Sequence, residues 1–210
     1  MGKRENNAKR QRKLILRAAA ALFSKKGYHK ASVGEIAERA GVGKGTIYLY
    51  FADKAQLFAA TVTEGMEEII GGLRAELESD LPFRVHFQRL VERHVALYLQ
   101  HEDLTGIFHR EMSNGIDRQT LKKIEEVRRR YVDFLADTLA DGHRRGYIKA
   151  IDFHLAAVGV VGLVDVLCSD YWKNERPLDR GEIAATVYSL LSTGLTAPEK
   201  AAPAARGKTR

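Results

Sequence analysis

Residues 32–54, SVGEIAERAGVGKGTIYLYFADK, decide the fold. Ser32 followed three residues later by Glu35 is a capping box: hydroxyl and carboxylate satisfy each other's backbone donors and start a helix at about Val33. Ile36, Ala37 and Ala40 share one face of that helix, and Gly41, free to take a left-handed backbone, ends it. A second helix must then start within a few residues. Gly43, Lys44, Gly45 and Thr46 at its head are small or polar, so its first turn can approach a phosphate backbone or a base edge. Ile47 and Phe51 point inward and leave Lys44, Thr46, Tyr48 and Tyr50 outside. This is the pattern of a helix-turn-helix, although ordinary helical hairpins share the spacing.

Charge separates the two readings. Residues 1–53 hold twelve Lys and Arg against four Asp and Glu, and the last fifteen residues hold four against one, in a chain whose formal net charge is +7. The middle of the chain is therefore slightly acidic. Positive charge gathered at the ends points to a polyanion partner for the N-terminal part and away from one for the middle.

Nearly every other segment has a helical period. Ile15, Ala18, Ala19, Leu22 and Phe23 follow the i, i+3, i+4 pattern of a helix packed on one side, which Gly27 should end. Upstream, KRENNAKRQRK is too charged to pack and reads as a mobile arm for DNA or as a solvated tail. Asp53 caps a long helix over residues 54–78 with Leu57, Phe58, Val62, Met66, Ile69, Ile70 and Leu73 inward. Pro82 opens another, a shorter helix is expected over residues 104–112, and one over residues 118–145 stops at Gly146. Residues 152–172 and 178–195 form the last two. The reading is all-α, about nine helices, in four parts: a basic arm (1–12), a three-helix helix-turn-helix domain (13–53), an effector-binding and dimerisation domain (54–195) and a disordered basic tail (196–210).

The run GVGKGTIYLYFADK, preceded by SVGEIAERA and by a helix containing AAAALFSKKGY, resembles the DNA-binding domain of the TetR family of bacterial repressors over residues 13–58. The resemblance implies a homodimer that binds a palindromic operator and releases it when a small molecule enters the C-terminal domain. By family position, Lys44, Gly45, Thr46 and Tyr48 approach base edges or the adjoining backbone, and Tyr50 and Lys54 hold phosphates. Ser32 joins these as a DNA-binding candidate. The sequence departs at Gly34, where some members carry a longer side chain that can reach a base. Further on, residues 110–172 are similar to the fatty-acid-metabolism regulators of that family, which bind long-chain acyl-coenzyme A. A constitutive dimeric DNA-binding protein without an effector is the alternative.

In the body, LAAVGVVGLVDVL is apolar around nearly its full circumference and calls for cover on every side. Val158, Val161 and Gly162, with Val187 and Leu191 of the last helix, are therefore candidates for a four-helix dimer interface. The effector would be enclosed by Phe87, Val91, Val95, Tyr98, Phe108, Met112, Tyr131, Phe134 and Asp165, with Leu135 and Val161 beside them, although such residues at helical spacing are more often plain core. Asp165, a carboxylate in an apolar helix, needs a tyrosine, an arginine or a ligand group as partner. The cluster Arg128, Arg129, Arg130, Arg144 and Arg145 is either a contact for coenzyme phosphates or a wet helix face.

Several functions find no support. No paired His motif with metal-ligand spacing occurs, and His94, His101, His109 and Glu111 are the nearest approach to one. No residue set suggests catalysis and no cofactor is expected. Lone Cys168 allows no intrachain disulfide and favours a reducing cytoplasm. The N-terminus is amphipathic rather than a secretory signal, and the longest apolar run, broken by Asp165, is too short to span a bilayer.

Overall fold

The computed structural model describes residues 2–78, 81–101, 103, 107, 116–173 and 179–197, and among these it forms eight α-helices and one isolated antiparallel bridge, Ile148 to Thr196. The helix expected over residues 104–112 lies largely outside them, as does most of the tail.

Helix α1, Lys3–Lys30, buries the expected stripe, with Ile15, Ala19 and Phe23 all at 0% exposure. Gly27 breaks it as a kink (φ 80°, ψ 163°) rather than an end, since one further turn follows. The arm is a correction. Residues from Lys3 onward are helical and continuous with α1, because the polar segment extends a helix already nucleated by the packed stripe. Arg12 forms a two-pronged ion pair with Glu64, and Lys13 lies 2.9 Å from Glu68.

Helix α2, Val33–Ala40, starts with the full capping box: Glu35 N–H donates to Ser32 Oγ at 3.2 Å and Ser32 N–H to Glu35 Oε2 at 3.0 Å. It ends with Gly41 left-handed (φ 67°), Gly41 N–H donating to Glu38 O and Val42 N–H to Ala37 O, the two bonds of a Schellman turn. Two residues later begins α3, Lys44–Tyr50, held by one inward side chain, Ile47, and by Phe51 just past its end. Helix α4, Lys54–Leu77, is capped by Asp53, whose Oδ1 accepts from Gln56 N–H at 2.7 Å, and all seven expected inward residues are buried.

The head does not stop at residue 53. Phe23, Ile36, Ile47 and Phe51 share one core with Leu57, Phe58 and Val62 of α4 and with Ile107, Ile116 and Ile124 of the body. The cut expected between residues 53 and 54 therefore runs through a continuous apolar cluster. Phe58 is its keystone, edge-on to Phe23 at 4.9 Å and to Tyr28 at 5.0 Å between ring centroids.

Four helices complete the body: α5, Phe83–Gln100; α6, Arg118–Arg144; α7, Phe153–Lys173; and α8, Arg180–Leu195. Asp117 and Asp179 cap α6 and α8 with their carboxylates. Helix α4 packs on α5 and α6, α6 on α7, and α5 on α8. Helix α7 shows two faces. Ala157, Val160, Val164 and Cys168 are buried, whereas Leu155, Val158 and Val166 are 66%, 45% and 62% exposed on the opposite side. Nothing lies within 4 Å of where a Cβ would stand on Gly159 or Gly162 of that outer face. On α8, Leu190 is likewise exposed, at 54%. Val187 is a correction, since it is fully buried among Val95, Val164 and Cys168 and belongs to its own chain's core. Leu191 is partly buried against two inner clusters, and Val161 is partly buried against one.

Candidate nucleic-acid interface

Helix α3 presents Lys44, Gly45, Tyr48 and Leu49 outward, with Thr46 half-buried at its first turn. Tyr48 is 46% exposed and Leu49 83%. Leu49 had no place among the expected site residues because residue type alone assigns leucine to a core; its position one residue beyond Tyr48, on the face opposite Ile47, was the available signal. Gly43 supplies no side-chain cap to the first turn of α3, where Thr46 N–H donates to Gly43 O at 2.9 Å.

Three expected contacts are placed differently. Ser32 is exposed, but its hydroxyl serves the capping box, which fixes where α2 begins. Tyr50 turns toward α1, where its hydroxyl donates to Gln11 Oε1 at 3.2 Å. Lys54 donates to the carbonyls of His29 (3.3 Å) and Ala31 (3.0 Å) and lies over the Tyr28 ring, 4.6 Å from its centroid. These bonds fasten α4 to the end of α1. Gly34 lies open, and no side chain reaches outward from that position of α2.

The head's positive charge is partly neutralised. Arg12 and Lys13 pair with the acidic edge of α4, and Lys26 pairs with Glu35. The hydrogen bonds from Lys26 and then from Ser32 hold the Glu35 carboxyl down at about 2, so it stays ionised.

The expected effector lining is mostly core. Val91, Val95, Tyr98, Tyr131 and Leu135 are all buried, Phe134 is half-buried with Arg74 over its ring, and Phe87 lines a groove. Phe108 and Met112 lie outside the described residues. Asp165 finds its partner within the same chain: Tyr98 O–H donates to Asp165 Oδ1 at 2.5 Å. Beside it His94 Nε2 and the Tyr131 hydroxyl are hydrogen-bonded in full burial. Burial lowers His94 to about 4 and raises Tyr131 well above its usual range, so the phenol keeps its proton and donates it to a neutral imidazole. Burial and the nearby Asp165 push the Cys168 thiol up to about 12. From sequence His94 reads only as a metal-ligand candidate; its place on the Val91–Val95–Tyr98 face is the signal for burial.

The His94 environment has a stability consequence. The unfolded chain takes up a proton near 6.5 and the folded chain only near 4, so stability is complete above about pH 6.5 and falls as pH drops toward 4. The loss is about 3 kcal/mol. In His94→Gln the part of the pH 4–7 slope in urea unfolding due to this group should vanish; an unchanged slope would contradict the buried neutral imidazole.

Among the described residues, no three His, Cys, Asp or Glu side chains come together as a metal site. His101 pairs with Glu68, and His109 and Glu111 lie outside the described residues. In the basic cluster Arg130 meets Glu67, while Arg144 and Arg145 meet Asp141. No helix among the described residues is long and apolar enough to cross a membrane.

Known proteins place this arrangement. Residues 15–61 match the family described as bacterial regulatory proteins, tetR family, and residues 83–195, more than half of the chain, match the tetracyclin repressor-like C-terminal domain. The chain belongs to the TetR family. The first match runs past residue 53 into α4, as the shared core does. As a TetR-family member the protein is a DNA-binding transcriptional regulator. The fatty acid metabolism regulator protein of Bacillus subtilis is 26% identical over 182 residues, covering 86% of this chain and 93% of that protein. Two solved structures are similar along the length. The fatty acid degradation regulator FadR of Bacillus halodurans superposes with a TM-score of 0.76 at 26% identity, covering 88% of this chain and 95% of that one. FadR of Bacillus subtilis, solved in complex with stearoyl-CoA, gives 0.74 at 26% identity, covering 87% and 98%.

Proposed function

We propose that this TetR-family regulator is a homodimeric repressor that holds a palindromic operator and leaves it when a small apolar effector, of the long-chain acyl-coenzyme A class, binds the body. One observation carries the DNA side: α3 turns Lys44, Gly45, Tyr48 and Leu49 outward from a head whose core is otherwise closed. A seven-residue helix offers too few base contacts for specific binding alone, so a twofold pair reading half-sites about 34 Å apart is required. The uncovered stripe of Leu155, Val158 and Val166 on α7 supplies a face for that pairing. Lys44, Gly45, Thr46 and Tyr48 are the base-edge or backbone contacts in this reading. Lys54 acts on phosphate only through whatever donor capacity its two carbonyl bonds leave.

The effector class rests on the stearoyl-CoA complex of the Bacillus subtilis relative. The buried polar cluster of His94, Tyr98, Tyr131 and Asp165 is the part of the α5–α6–α7 seam able to answer a thioester or carbonyl oxygen, because its hydroxyls can exchange partners. Release follows as a population shift. A conformer that spreads the seam moves α4, and since the first turns of α4 share the head's core, the two heads lose their spacing.

Fluorescence anisotropy on an operator recovered from a random duplex library tests this. Stearoyl-CoA should release the operator at micromolar concentration while coenzyme A alone does not; retention at saturating stearoyl-CoA favours the constitutive reading. In the same assay Tyr48→Ala should weaken the operator by about tenfold with the dimer intact. Unchanged affinity would remove Tyr48 from the contact surface.

A further inference from the structure

A groove of about 1100 Å³ opens at the end of the body far from the head, where the start of α5, the turn between α6 and α7 and the end of α8 meet. Its floor is a stack of rings. Phe83 lies parallel to Phe87 (centroids 5.6 Å apart, planes 9° apart) and to Tyr147 (4.3 Å, 6°), and Tyr188 leans on Phe87 at 5.8 Å. Tyr147 ends the stack. One face of its ring is covered by Phe83, and the side chain is still 43% exposed.

The rim is cationic. Arg84, Arg145 and Lys149 line the groove, and among the described lining residues none is acidic. Lys149 is held in place by donating to the carbonyls of Thr193 and Gly194 at the end of α8, and Arg145 is oriented through Nε by Asp141 at 2.7 Å. Two cations therefore flank Tyr147 in sequence, at 145 and 149, on a turn that Gly146 permits with φ 82°. Ser192 and Thr193 add hydroxyls on the opposite wall. The sequence that follows Ala197 carries Lys200, Arg206, Lys208 and Arg210 against Glu199, so its net charge does not complement this rim.

The geometry points to a binding site for a small molecule that joins a flat aromatic ring to an anionic group, the ring continuing the stack on Tyr147 and the anion meeting Arg145, Arg84 and Lys149. Ring stacking and charge are both needed: stacking on the one open face of Tyr147 holds a neutral ring only weakly, and cations half-satisfied by carbonyls and by Asp141 hold a bare anion weakly against water. Aromatic carboxylates and purine nucleotides share this chemistry. The site is separate from the α5–α6–α7 seam and does not depend on which effector that seam takes.

Isothermal titration of the full chain tests it with naphthalene-2-carboxylate and adenosine monophosphate as ring-plus-anion probes, 2-naphthalenemethanol and adenosine as rings without charge, and pyrophosphate as charge without a ring. At least one ring-plus-anion probe should bind once per chain, about tenfold more tightly than its neutral counterpart and than pyrophosphate. Preference for the carboxylate or for the nucleotide identifies the source. Tyr147→Ser and, separately, Arg145→Gln, which changes only an exposed side chain, should each weaken that probe with thermal unfolding unchanged. Equal binding of charged and neutral rings, binding undiminished in both variants, or no binding by either ring-plus-anion probe overturns the assignment.

Discussion

Val158→Arg is expected to leave a folded monomer of 23.5 kDa that no longer holds its operator. Val158 sits at the centre of the outer stripe of α7, about one turn from both Leu155 and Gly162 and next to Gly159, with open space around both glycines. In a twofold pairing through this stripe both protomers would bring an arginine into the apolar interface, with desolvation of two like charges added to the lost valine burial. That combination should weaken self-association by about a thousandfold. Val158 is 45% exposed in the single chain, so folding is spared and the circular dichroism spectrum should match the parent. Sedimentation velocity reads the outcome directly. A Val158→Arg protein that still sediments as a dimer would place the interface elsewhere.

Phe58→Ala should have the largest effect on stability. The ring is fully buried, lies edge-on to Phe23 and Tyr28, and belongs to the cluster that joins the head to the body. Deleting it costs about 3–5 kcal/mol, the transfer term of the lost ring plus the cavity left behind. Because this cluster also includes Ile36 and Ile47, operator affinity should fall with the melting temperature, which drops by about 10 °C. Calorimetry on the full chain checks the first, and anisotropy below the new midpoint checks the second. A melting temperature within about 2 °C of the parent would show that head and body are not one cooperative core.

The helix-turn-helix was legible because its determinants are local. Ser32 with Glu35, Gly41 and the Ile47–Phe51 spacing each act within one or two turns, and the structure realises each as read. What failed was whatever depends on residues far apart in the chain. Arg12 and Lys13 looked available to DNA until α4 brought Glu64 and Glu68 beside them, and nothing local to Lys54 announces the carbonyls of His29 and Ala31. The pairs His94–Tyr131 and Tyr98–Asp165 bridge different helices for the same reason.

The effector lining poses a different difficulty. Val91, Val95 and Tyr131 have the periodicity of an inward face, and that pattern is identical whether the face meets another side chain or an empty space. Helix α7 reads from sequence as needing cover on all sides; its own chain covers one face and leaves Leu155, Val158 and Val166 exposed, while Val187, expected in the outer layer, supplies the inner one. Leu49 was missed because an aliphatic residue on a short exposed helix runs against the hydrophobic rule, and such exceptions gather where a surface is used.

Selection of bound duplexes from a random library by the purified protein, at about 150 mM salt, tests most directly whether α3 acts as half of a symmetric reader. The account predicts enrichment of an inverted repeat whose half-sites are centred about one helical turn apart, lost in Val158→Arg and weakened in Tyr48→Ala. Recovery of a single unrepeated site, or of no sequence above the random background, would contradict it.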